Sequence, residues 1–130
     1  MDLKPLGLVV LAAAGCSSSP TAPGEGVLLG REFALRPGET VTVQSTDLRV
    51  SFQQVVEDSR CPADAFCVWA GDAVVALVVG TASLQLRSSS APEAAVGGYR
   101  VRLERVEPSV YSEKTIPPDA YRAVLTVTRR

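Results

Sequence analysis

Apolar residues in this chain recur at every second position, in short runs. Leu48, Val50 and Phe52 alternate with Arg49, Ser51 and Gln53, and Tyr99, Val101 and Leu103 alternate with Arg100, Arg102 and Glu104. Successive side chains of a strand point to opposite faces, so each run describes a strand with one buried and one wet face. Ala82-Ser83-Leu84-Gln85-Leu86 repeats the pattern, as do Tyr121, Ala123, Leu125 and Val127. Val27-Leu28-Leu29-Gly30 leads into Glu32-Phe33-Ala34-Leu35, and Pro37-Gly38 then turns the chain into Thr40-Val41-Thr42-Val43, which predicts a hairpin. Residues 73–79 are apolar at every position, which predicts a central strand covered on both faces. The alternation breaks at Gln54-Val55-Val56, where a bulge is expected. Residues 88–98 read as a loop of small residues and 108–119 as a long irregular connection. About seven short strands without an amphipathic helix predict an all-β fold, an antiparallel β-sandwich, with a small closed β-barrel as the alternative.

The first 16 residues do not belong to this pattern. A short charged start with Lys4 precedes an apolar run over residues 6–14, too short to span a bilayer and matching a secretory signal peptide. The run ends in Ala13-Ala14-Gly15-Cys16, which resembles a bacterial lipobox, with Ala13 where leucine is usual. That resemblance implies a signal peptide over residues 1–15 and acylation of Cys16, which would hold the protein on a membrane. Residues 16–26 are rich in Ser, Pro, Gly and Thr and read as a flexible tether, leaving 27–130 as a single β domain. Ser17 follows the cysteine where an aspartate favours inner-membrane retention in diderm bacteria, so the expected location is the outer membrane facing the periplasm, if the organism is diderm.

With Cys16 assigned to lipid, two of the three cysteines remain. Cys61 and Cys67 lie in Glu-Asp-Ser-Arg-Cys-Pro-Ala-Asp-Ala-Phe-Cys-Val-Trp-Ala-Gly-Asp, residues 57–72, between two of the most hydrophobic runs. A metal site would need more ligands, and the chain has no histidine. A thioredoxin-type couple uses two intervening residues at a helix start, unlike the five here. A structural disulfide in an oxidising compartment remains. Closing a ring of seven residues stabilises by about 2.4 kcal/mol on the chain-entropy expression, less any strain. Gly71 suits a tight turn into the next strand. Trp69 is the only tryptophan. It is expected to pack as a core ring against the disulfide, in preference to serving as an exposed aromatic anchor.

Asp58-Ser59-Arg60-Cys61-Pro62 followed by Cys67-Val68-Trp69-Ala70-Gly71 resembles a segment of small bacterial lipoproteins and secreted proteins, over about a tenth of the chain. The resemblance implies an envelope location and a β-rich architecture, and carries over no catalytic residue.

Thirteen basic residues against fourteen acidic ones give no bulk attraction to nucleic acid. Without histidine there is no imidazole base for a serine or cysteine nucleophile. Glu57 with Asp58, and Asp64 with Asp72, are near enough in sequence for acid-base work but read as solvated loop acids. Asp58, Asp64 and Asp72 match no calcium loop, and Gly97-Gly98 is too short for a phosphate loop. Arg100, Arg102 and Arg122 could align on adjacent strands, although a solvated face is the expected reading. The expectation is a non-enzymatic protein with no cofactor or metal, a membrane-anchored envelope lipoprotein acting as a binding or assembly-support module. Its partner would be another envelope protein, with Arg60, Asp64, Phe66 and Trp69 as candidate contacts. The alternative is a periplasmic inhibitor of a hydrolase, a lysozyme or protease.

Overall fold

The computed structural model describes residues 26–130. The signal segment, Cys16 and the tether up to residue 25 lie outside the described residues. The described residues form eight strands: β1 (Phe33–Leu35), β2 (Thr40–Thr42), β3 (Arg49–Asp58), β4 (Ala73–Val79), β5 (Ala82–Arg87), β6 (Glu93–Val96), β7 (Tyr99–Glu107) and β8 (Arg122–Arg129). They make two antiparallel four-stranded sheets, in the orders β2-β3-β4-β5 and β1-β8-β7-β6. The sheets pack face to face without closing on each other, so the fold is a β-sandwich.

The two-residue period builds the core. Val50, Phe52, Val75, Leu77 and Leu86 of one sheet meet Val101, Leu103, Leu125 and Val127 of the other, all essentially without solvent contact. No charged or polar residue is buried with them among the described residues. Arg49, Arg100 and Arg102, at alternate positions, are exposed.

Several expectations change with the pairing. The Pro37-Gly38 turn forms, but not as a hairpin: β1 pairs with β8 and β2 with β3, so it carries the chain from one sheet to the other. Gly38, at φ +91°, donates its N–H to the Phe52 carbonyl at 2.7 Å, and Glu39 accepts from Phe52 N–H at 3.0 Å, so partners distant in sequence outbid the local one. Residues 27–30 contribute only a bridge between Val27 and Val43 before turning. The presumed loop 88–98 contains β6, joined to β7 across Gly97 and Gly98. Glycine at φ +58° in a two-residue connection is a hairpin signal that small residues on either side obscured. β4 is central, but only its inner face is covered by the other sheet. Val74 is buried between the cross-strand neighbours Glu57 and Arg87, while Ala76 and Val78 are half-buried in an open depression with Gln53 and Gln85. The break at 54–56 is real, with the β3–β4 register shifting between Phe52 and Gln54 and again between Val55 and Glu57.

Antiparallel pairing also sorts the connections to two poles. The first described residues sit beside Thr42 and Gln44, where Val27 N–H donates to Thr42 O at 2.9 Å, near the start of β3. The turns at Gly80 and at Gly97-Gly98 lie at that same pole. The connections 59–72, 88–92 and 108–121 lie at the other. Arg122, opposite Glu107, therefore stands at the far pole from Arg100, opposite Thr128, and the three arginines considered above form no common patch.

Phe52 is the largest fully buried side chain. Phe52→Ala is expected to lower the unfolding free energy by about 3–5 kcal/mol in urea titration, whereas Ser83→Ala on the outer face should change it by less than about 0.5 kcal/mol.

Candidate functional site

The connection between β3 and β4 is built as a short ladder closed by a covalent ring. Ser59 N–H donates to Asp72 O at 2.7 Å and Cys61 N–H to Ala70 O at 3.0 Å, so the two arms continue the sheet past the end of its strands. Cys61 and Cys67 form a disulfide with a Cα–Cα separation of 5.9 Å. Gly71 makes the ladder possible, since at φ +68° a Cβ would lie 1.8 Å from the Ser59 carbonyl oxygen. Even a methyl group is excluded there.

Three aspartates fix this loop to its surroundings. The Asp58 carboxylate accepts from Arg60 Nε and Nη2, both at 2.8 Å, and from the Tyr121 hydroxyl at 2.9 Å. Arg60 Nη1 donates onward to the Val106 carbonyl at 2.7 Å. Tyr121 precedes β8 and Val106 belongs to β7, so the cluster ties the end of β3 to the opposite sheet. Asp64 accepts from Ser112 N–H at 3.0 Å and from its hydroxyl at 2.9 Å, while Ala63 N–H donates to Val110 O at 2.7 Å. Asp72 accepts from Ser89 N–H at 2.6 Å, Ser90 N–H at 2.9 Å and the Ser90 hydroxyl at 2.8 Å. The connections 88–92 and 108–121 thus both donate to aspartates of the disulfide segment.

These contacts set the acidities. Burial raises the Asp58 carboxyl, but the hydrogen bonds from Arg60 and Tyr121 and the Arg60 charge outweigh it, holding the group below its ordinary range. Asp64 is held down by the Ser112 donors and Asp72 by Ser90 and Ser89. Burial and then the neighbouring Asp58 push the Tyr121 phenol up. Asp64 and Asp72 are loop acids open to solvent, as expected, and also accept hydrogen bonds within the fold, whereas the Asp58 carboxylate is largely removed from water.

The four candidate contacts separate accordingly. Arg60 and Asp64 are occupied within the molecule, the Arg60 side chain being only 15% exposed. Phe66 and Trp69 project into solvent, at 105% and 80% exposure, with Val68 between them at 87%. Trp69 is therefore not the core ring expected from the sequence. A seven-residue ring docked by its polar arms cannot fold its tip back over the sandwich, and residues 63–70 are all exposed. Val68 was missed, since an isolated valine after a cysteine looks like strand.

An open groove of about 500 Å³ lies beside the loop base, with Val55, Val56, Ile116 and Tyr121 among its walls. Glu57, Asp58 and Asp119 also reach it. Asp58 there is committed to Arg60 and Tyr121, so its carboxylate is a poor proton carrier at neutral pH. Among the described residues no group of three or more metal-ligating side chains converges. No family model matches the chain, and neither a curated protein nor a solved structure matches it.

The lowered aspartate pKa values make stability pH-dependent. Groups depressed in the folded state stabilise it above their unfolded pKa, near ~3.9, and lose that contribution as pH falls through the folded value. Denaturation against pH should therefore show stability falling below about pH 4, with a shallower slope in Asp58→Asn. The raised Tyr121 phenol has the opposite sign, and stability should also decline above about pH 10. Gly71→Ala should cost at least about 3 kcal/mol, more than any glycine substitution at the open Gly97, measured by thermal unfolding.

Proposed function

We propose that this protein is a non-catalytic binding module of the bacterial envelope, carried on a membrane by lipid at Cys16, that offers the tip of its disulfide loop to a protein partner. The observation that carries the proposal is the contrast within one segment. The polar groups Asp58, Arg60, Asp64 and Asp72 are consumed in fixing the loop, while Phe66, Val68 and Trp69 are left in water. Exposed aromatic side chains on a preorganised scaffold suit insertion into an apolar pocket, because little conformational entropy is lost on binding. Full burial of each such side chain is worth about 1.5–3 kcal/mol, enough for three of them to anchor a complex.

The lipid anchor is supported by the small residues before Cys16 and the serine-rich stretch after it. A disulfide between Cys61 and Cys67 is compatible with an oxidising compartment. The protruding, ring-closed tip also supports a second reading, inhibition of an envelope hydrolase by entry into its cleft.

Residues 17–130 immobilised on beads and exposed to native envelope extract should enrich one protein. Trp69→Ala and Phe66→Ala should each weaken its retention at least tenfold, about 1.4 kcal/mol, without changing the thermal midpoint. Equal retention by both variants would remove the tip from the proposal. A lysozyme and protease panel assayed with the same proteins distinguishes the inhibitor reading, which requires inhibition lost with Trp69→Ala.

A further inference from the structure

The pole opposite the disulfide loop has its own character. Arg31, Arg49, Arg100, Arg129 and Arg130 are all exposed there, around the point where the chain enters the described fold. None of them is ion-paired to a described residue, whereas Arg60, Arg102 and Arg105 are. Arg129 lies over the Tyr99 ring at 5.7 Å, and Arg130 Nη1 donates to Gly97 O at 3.1 Å, so both guanidinium groups are held at the pole itself. Asp47 in the β2–β3 turn is the acidic residue among them, and counting Glu25 of the tether still leaves arginine in clear excess. The other pole, counted in the same way with its strand ends, carries Glu39, Glu57, Asp58, Asp64, Asp72, Glu107, Glu113 and Asp119 against Arg36, Arg60, Arg87, Lys114 and Arg122. A chain that is nearly neutral as a whole is thus polarised along its strands.

The tether brings this polarity to bear. Ten residue steps separate Cys16 from Gly26, a reach of at most about 35 Å. The ten residues of β3 alone cover about 33 Å between the poles. Tether length by itself therefore permits the domain to lie on its side, and the charge distribution decides its posture. Guanidinium groups pair with phosphate through two parallel hydrogen bonds, and attraction to an anionic leaflet is worth about fivefold in binding per arginine that reaches it.

We propose that the arginine pole docks on the anionic phospholipid headgroups of the membrane that carries the anchor, holding the domain upright with Phe66, Val68 and Trp69 directed away from that membrane. The choice of membrane rests on Cys16 being the anchor, whereas the docking face does not. This posture excludes the neighbouring bilayer as the occupant of the apolar tip.

The test uses residues 17–130, which contain the whole core from Leu35 to Val127. They are sedimented with vesicles of phosphatidylglycerol and phosphatidylcholine in equal parts, and with phosphatidylcholine alone. Binding is expected on the anionic vesicles only and is lost at high salt. Arg100→Glu with Arg130→Glu should weaken it by more than tenfold, since two contacts of about fivefold each are reversed. Arg36→Glu with Arg87→Glu makes the same change in net charge at exposed positions toward the other pole and should leave binding near the wild-type value. Trp69, as the only tryptophan, reports the tip, and its emission should be unquenched by brominated acyl chains in the same vesicles. Equal losses in the two double variants, absence of preference for anionic lipid, or quenching of Trp69 would each overturn the proposal. Labelling of the full chain with radioactive fatty acid reads the anchor separately. Absence of label on Cys16 would remove the anchor and leave the vesicle result to decide the docking face.

Discussion

The carboxylate of Asp58 is where the two sheets and the disulfide segment are joined. It stands at the last residue of β3 and receives two hydrogen bonds from Arg60 in its own segment and one from Tyr121, which leads into β8 of the opposite sheet. Arg60 then reaches Val106 on the neighbouring strand. At 12% exposure the carboxylate is too far removed from water to be left unpaired, so loss of Arg60 leaves a charge without its compensation and loss of Tyr121 removes one of its hydrogen bonds. The apolar faces hold the sandwich together, but they are non-directional and do not specify how its open end is closed. The Asp58 cluster does.

That closure explains why the same segment is both the most constrained and the most exposed part of the molecule. Its arms are bound by backbone ladder, disulfide and three aspartates, and the connections 88–92 and 108–121 donate to them. The tip between the cysteines and just beyond them has nothing left to pack against. An exposed tryptophan on a flexible loop would collapse onto any nearby apolar surface; one on a fixed arm remains available to a partner. Rigidity at the base and exposure at the tip are two consequences of the same arrangement.

Much of the architecture was legible because period-two alternation maps directly onto the faces of a strand. β3, β4, β5, β7 and β8 lie where alternation or continuous apolar sequence put them, and the break near Gln54 is a true irregularity. What failed depended on partners distant in sequence. The Pro37-Gly38 turn looks the same whether its strands pair with each other or go to different sheets, and Phe52, not a local residue, settles it. β6 has only alanines and Val96 to mark it, and exists because β7 offers an edge.

The all-β class, the pairing of Cys61 with Cys67 and the turn at Gly71 could be read from the chain alone, because each follows from local stereochemistry or from counting residue types. That Trp69 is outside and Arg60 and Asp64 are engaged within emerges from the folded arrangement, since an aromatic residue beside a disulfide has the same local signature buried or exposed. The division of charge between the poles was equally invisible. Arg31, Arg49, Arg100, Arg129 and Arg130 are spread along the chain, and only antiparallel pairing, by returning every second connection to the same end, gathers them.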